Sequence, residues 1–275
     1  MSQLAKLRQR INTIQTIQKI AQAMRLVSMS VHSQLNNQLG YLNAYQTKLD
    51  QLTSLVQATI PGQIVIPKQQ RIMVLIGSQK GLCGSFNSDI IKALDQYQKT
   101  HPLPSEIVVI GKKLIDLVQR KHEIKLKITK FNHAALNETA QIIMNLVKQQ
   151  PDTTEIICLS NQNRTFFTHT IQITTLNNQS CSQLNLNSDL LNEYTWIQSQ
   201  ADLAKLLLHK QLSLNLHSIL LNSLIAEASS RFRSMDSATR NAETLLETSN
   251  RQYSKLRQAK ITGELVELSA IFQIK

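Results

Sequence analysis

Residues 221–259 read LNSLIAEASSRFRSMDSATRNAETLLETSNRQYSKLRQA. Stepping by seven from Leu221 meets Ala228, Met235, Ala242, Ser249 and Leu256. Four residues after each of the first five fall Ile225, Phe232, Thr239, Leu246 and Tyr253. A seven-residue repeat of apolar and small side chains is a coiled-coil seam. Residues 201–275 hold no proline and one glycine, Gly263, so one long helix runs through them. The stretch 212–216 alternates like a strand, but its flanks are helical and it is read as helix.

Such a seam needs a partner helix along its length, and the start of the chain offers one. Leu7, Ile14, Ala21, Ser28, Leu35, Leu42, Leu49 and Val56 repeat by seven. Three residues further on, in most turns, stand Ile17, Met24, Val31, Tyr45 and Leu52. A helix of about 55 residues spans roughly 80 Å, longer than any small globular core, so the expected object is a rod. Pro61, Gly62 and Pro67 break this first helix.

A different grammar follows. RIMVLI (71–76), EIVVI (106–110) and EIICLS (155–160) are short, near-continuous apolar runs, read as buried strands. Helices are expected over 86–99, 111–121 and 133–149, a further strand over 123–131, and an edge strand over 165–176, with antiparallel pairing one option. His101-Pro-Leu-Pro104 reads as a turn. Strands alternating with helices imply a mostly parallel sheet. Compact domains often bring their ends together, so helices attached on one side would lie antiparallel. The predicted fold is an α/β domain inserted between two long terminal helices that form an antiparallel coiled coil. Its parts are residues 1–58 (first helix), 68–178 (α/β domain), 179–200 (polar connector) and 201–275 (last helix).

The formal net charge is +12, unevenly placed: Lys6, Arg8, Arg10, Lys19 and Arg25 all precede the first acid, Asp50. A basic excess suits nucleic acid, an anionic membrane surface or an acidic protein. Aromatics make up 4% of the chain and none precedes Tyr41, which argues against base stacking and so against nucleic acid. Cys83, Cys158 and Cys181 show no CxxC or metal spacing and read as free thiols. No run reaches the ~18 apolar residues of a spanning helix, so direct membrane insertion is not expected. The acid-poor N-terminus could pass for a presequence, but its apolar period continues in phase to Val56, which suits a mature helix better.

Chemistry is sparse. Gly77-Ser-Gln-Lys-Gly81-Leu-Cys-Gly84 follows a strand and opens a helix, where phosphate loops sit. It lacks both the GK[ST] ending and the G-x-G-x-x-G spacing, leaving a nucleotide site or a tight structural turn through Gly81, Leu82, Cys83 and Gly84. Cys83 at a helix start could have a lowered pKa, yet no base can be assigned to it. The seven histidines are scattered, and no paired carboxylates, metal set, cofactor motif or catalytic constellation stands out. Lys6, Arg8 and Arg10, like Arg257 and Gln258, would ordinarily be a solvated helix face.

Three groups of residues resemble the gamma subunit of the F-type ATP synthase. Leu7-Arg8-Gln9-Arg10-Ile11, Gln18-Lys19-Ile20, Ala23-Met24 and Val27 are similar to its N-terminal signature. Gly81-Leu-Cys-Gly84 with Asn87 is similar to its GLCGxxN turn. Glu227, Arg231, Met235, Ala238-Thr239, Asn241-Ala242, Tyr253, Arg257-Gln258-Ala259, Ile261-Thr262, Glu264-Leu265 and Glu267 are similar to its C-terminal signature. The chain departs from that pattern at Ala21-Gln22, at Ser28-Met-Ser-Val31, at Arg240 where an aspartate is common, and in the tail 269–274.

The resemblance implies a non-catalytic rotor, a central stalk without cofactor or metal. It would couple ion flow through a membrane ring to ATP synthesis or hydrolysis on other chains. The implied partners are the alpha and beta subunits of the catalytic head, the epsilon subunit and ring subunit c, on the cytoplasmic face of a bacterial inner membrane. It implies that Lys6, Arg8, Arg10, Lys19, Met24, Arg257, Gln258 and Thr262 grip an acidic loop of the catalytic subunit, with residues near 20 and near 258 at one level. The other reading of the residues is a coiled-coil dimer whose α/β domain binds a nucleotide or effector.

Overall fold

The computed structural model describes residues 3–57, 70–101, 106–149, 154–166, 168–176 and 200–273. In chain order the elements are α1 (Gln3–Gln57), β1 (Gln70–Ile76), α2 (Phe86–Thr100), β2 (Glu106–Ile110) and α3 (Lys112–Val118). They continue with β3 (Leu126–Ile128), α4 (Leu136–Lys148), β4 (Thr154–Thr165), β5 (Thr168–Leu176) and α5 (Gln200–Gln273). The break at Pro61–Pro67, the turn at 102–104, the connector 179–199 and Cys181 fall outside the described residues. The chain divides into two compact units, Met29–Ser230 and Met1–Ser28 with Arg231–Lys275.

In the larger unit the five strands lie in the order β3-β2-β1-β4-β5. Pairing is parallel except between β4 and β5. Alternation along β1 explains the layers, because successive side chains point to opposite faces. Ile72, Val74 and Ile76 join one core with Val108, Ile110 and Ile143 of the sheet and α4, and with Leu35, Leu216, Leu220 and Leu224 of the two long helices. Met73 and Leu75 join the other with Phe86, Ile90 and Leu94 of α2 and Leu114 and Val118 of α3. Both faces are covered, so the run is apolar without interruption. Two glycines let the strand ends close on α3: a Cβ on Gly77 would stand 2.3 Å from Leu114 Cβ, and one on Gly111 would stand 2.5 Å from Gly77 O.

The expected β3 over 123–131 shortens to three residues, while β4 runs on to Thr165. The short hairpin to antiparallel β5 extends that ladder, with Thr165 and Thr168 hydroxyls 2.7 Å apart at the turn. The 212–216 stretch is helical. In this unit α1 and α5 run antiparallel: Gln46 Nε2 donates to Asn215 Oδ1 (2.7 Å), and Gln211 Nε2 donates to Asp50 Oδ1 (2.9 Å).

The smaller unit is a helix pair. Gln18 Nε2 donates to Glu243 Oε1 at 3.1 Å, and Arg25 NH1 donates to Asp236 Oδ1 at 2.7 Å. Seven residues forward on α1 are seven back on α5, which defines an antiparallel pair. Ile14, Ala21 and Ser28 are buried, as are Met235, Ala242 and Ser249, the heptad positions expected on both helices. On α5 the row four residues further on is also turned inward through Tyr253.

On α1 the second row differs from expectation. Ile17, Val31, Tyr45 and Leu52 are 52%, 40%, 55% and 52% exposed. The inward row instead lies four residues after each heptad position, at Gln18, Arg25, His32, Leu39, Gln46 and Thr53. This turns the buried face by roughly 50°, at 100° per residue. The cause is polar: three of these side chains bond across to α5, a contribution that counting apolar residues misses. Downstream of Tyr253, residues 254–269 are all exposed; Leu256, at 38%, shares a shallow cleft with Leu7, and the inward rows go no further.

Candidate functional site

The turn between β1 and α2 is built from its own motif. Ser78 N–H donates to Asn87 Oδ1 (3.0 Å), and Asn87 Nδ2 donates back to Ser78 Oγ (2.8 Å). Gly84 takes φ +58, and Leu82, 62% exposed, takes φ 63. The strand order reverses at β1, flanked by β2 and β4, which is where open α/β sheets hold ligands. Here the turn meets α5 instead. Ser230 Oγ donates to Cys83 O at 2.7 Å, Gln79 N–H donates to Glu227 Oε2 at 3.4 Å, and Phe131 N–H donates to Gln79 Oε1 at 3.1 Å. Groups that could cradle a phosphate are therefore engaged by the chain itself. Cys83 is buried, with Sγ donating to Ser78 Oγ (3.4 Å) and Lys80 O (3.8 Å). Cys158 is fully enclosed, and burial pushes its thiol up to about 12.

In the smaller unit Lys6, Arg8, Arg10 and Lys19 are exposed on α1, and Met24 is half-buried. Arg257, Gln258 and Thr262 are exposed on α5, Thr262 Oγ1 donating to its own helix at Gln258 O (3.0 Å). Lys6, Leu7 and Arg10 share an open apolar-floored cleft with Gln252, Lys255 and Leu256. The expectation that residues near 20 and near 258 share a level is corrected by the register. Gln18 stands opposite Glu243 and Arg25 opposite Asp236, so 258 lies well past the level of residue 20. Sequence alone identifies the two helices, whereas their alignment is set by cross-helix contacts.

Those contacts involve residues the sequence reading did not single out. The Arg25 guanidinium bonded to Asp236 holds that carboxyl below the usual aspartate range, against the opposing effect of burial and with help from Arg240. Arg240 NH2 lies 2.9 Å from Asp236 Oδ2, one turn along the same helix. The available signal was the recurrence by seven of Gln18, Arg25, His32 and Gln46, a polar row beside an apolar one.

A mostly parallel sheet with long terminal helices that pair antiparallel defines the class of fold. A family model described as ATP synthase matches residues 3–271. The chain belongs to that ATP synthase family, and the relatives it resembles are gamma chains. The ATP synthase gamma chain of Amoebophilus asiaticus is 29% identical, with 98% of each chain covered. The gamma chains of Rickettsia typhi and Helicobacter pylori (strain G27) are 27% and 28% identical, also over 98% of each chain. Among solved structures, a rotor chain of the Euglena gracilis mitochondrial ATP synthase aligns with TM-score 0.67 at 14% identity, over 94% of this chain and 98% of that one. A chain from the central stalk and c-ring of the Tetrahymena thermophila mitochondrial enzyme aligns with TM-score 0.57 at 19% identity, over 80% and 99%. These likenesses agree on the fold. The family makes this chain a non-catalytic central-stalk subunit of an ATP synthase assembly. Among the described residues no helix is long and apolar enough to cross a membrane.

Proposed function

We propose that this chain turns inside the catalytic head of an F-type ATP synthase. It would couple ion flow through a ring of c subunits to catalysis on the beta subunits, with the alpha and epsilon subunits as further partners. In this reading the α/β domain, residues 68–178, rests on the ring and epsilon subunit, and the helices 1–58 and 201–275 carry the shaft. The complex sits on the cytoplasmic face of a bacterial inner membrane. The grips are Lys6, Arg8, Arg10, Lys19 and Met24 on α1 with Arg257, Gln258 and Thr262 on α5. Gly81, Leu82, Cys83 and Gly84 form the turn on which α5 is seated.

One observation carries the reading: basic side chains stand exposed along a helix whose other face is buried against an antiparallel partner. Such a face offers charge to an acidic neighbour while its back is held firm. The test is replacement. Membranes from a host lacking its own gamma chain and supplied with this one are expected to show ATP-driven acidification of vesicles. Assembled complexes that hydrolyse ATP without moving ions would reject the coupling role.

A further inference from the structure

Torque passes along two paired helices only if they do not slide past each other. In the smaller unit most of the buried side chains between Gln18 and Ser28 and opposite them are small, Met235 being the long one among them. Ala21 and Ser28 are buried on α1, and Met235, Thr239 and Ala242 on α5. Shallow knobs resist axial shear weakly, because few atoms must climb over one another. The hydroxyls there do not help. Ser28 Oγ donates to Met24 O (2.7 Å) and Thr239 Oγ1 donates to Met235 O (2.9 Å), each within its own helix. Directional contacts across the pair include Gln18 with Glu243 and Arg25 with Asp236.

We propose that Asp236 is a positioning residue for rotary coupling, pinning α1 to α5 at the level of Met24 by holding Arg25 across the pair and Arg240 along its own helix. This rests on the rotor reading above. The distances are 2.7 Å to Arg25 and 2.9 Å to Arg240, with Asp236 22% and Arg25 35% exposed. One carboxylate held by two guanidiniums is fixed in direction as well as position. Ion pairs of this exposure add little stability, and their best-attested service is to specify register. The pin also occupies Arg25, keeping its cation away from whatever faces Met24. Arg240 belongs to the same device: a basic residue one turn from Asp236 completes the clamp.

The test compares the wild-type chain, Asp236→Asn, and the charge-reversed triple variant Arg25→Asp, Asp236→Arg, Arg240→Asp in assembled complexes. Wild-type complexes that fail to pump would sink the rotor reading itself, independently of the pin. With pumping established, Asp236→Asn is expected to keep ATP hydrolysis and lose pumping per ATP, and the reversed triple to restore it. A wild-type ratio in Asp236→Asn would overturn the pin. So would a loss that the reversal leaves unrepaired, since that would mark a charge read by a partner. In the isolated full chain, spin labels at Gln15 and Glu247 are expected to give a broader distance distribution in Asp236→Asn and a narrow one in the triple. An unchanged distribution would also reject the proposal.

Discussion

Gly111 and Leu82 both stand in left-handed backbone, for opposite reasons. At Gly111 (φ +96) an added Cβ would lie 2.5 Å from the Gly77 carbonyl oxygen, so conformation and space both demand glycine. Gly111→Ala should destabilise the chain by roughly 2 kcal/mol or more, read as a lower urea midpoint. Leu82 (φ 63) is mostly exposed, so its side chain returns little packing for the strain. Leu82→Gly should therefore leave stability unchanged or raise it by about 1 kcal/mol in the same assay. Asp236 gives a pH signature. Its folded pKa is depressed, chiefly by the bond from Arg25, so the stability it contributes is full above the unfolded value and is lost as pH falls through the folded one. The gap in stability between wild type and Asp236→Asn should be constant above about pH 5 and close below the unfolded aspartate value near ~3.9. A gap that instead opened on acidification would contradict the assignment.

At the scale of elements, the strands were legible because burial on both faces leaves a run such as Ile72–Ile76 with no polar interruption. The first row of each long helix was legible for a similar reason, since Ala21, Leu35, Leu49, Ala228 and Ala242 all fall on the heptad count and are all buried. The second row of α1 was not legible. Apolar Ile17, Val31 and Leu52 look like seam residues, yet in the isolated chain they face outward and polar residues bond inward. Whether a helix turns its apolar or its polar shoulder to a partner depends on the partner's side chains, which the period of one helix does not encode. The basic candidates on α1 were readable as a cluster, while their level along α5 was not, because register resides in pairs such as Arg25 with Asp236. Substitution separates the two faces. Leu35→Ala removes a side chain 3% exposed and should destabilise by about 2–5 kcal/mol. Val31→Ala, at 40% exposure, should change stability by under about 1 kcal/mol. Equal losses in thermal melts of the two variants would restore the face first expected.

For the whole molecule, the unequal helices matter most. α1 has 55 residues and α5 has 74, and every residue from 254 to 269 on α5 is exposed in the chain by itself. That segment carries Leu265, Val266 and Leu268, at 61%, 62% and 54% exposure, beside Arg257, Gln258 and Thr262. Its internal support is local: Lys260 and Glu264 lie 3.5 Å apart one turn along, and such pairs add only about 0.3–0.5 kcal/mol. A lone helix of this length is marginal in water, and in the proposed assembly its apolar side chains would gain burial from other subunits. Stability and function should then separate on truncation. Ending the chain after Leu256 keeps the cleft beside Leu7 and, over 257–269, removes only exposed side chains, so the isolated protein should melt within about 0.5 kcal/mol of wild type. The assembled complex loses three proposed grips and the apolar end of the shaft, and ATP-driven pumping should fall while the truncated chain still folds. A truncation that lowered the melting temperature of the isolated chain would mean that residues 257–273 belong to the fold, and unchanged pumping would mean that they carry no part of the coupling.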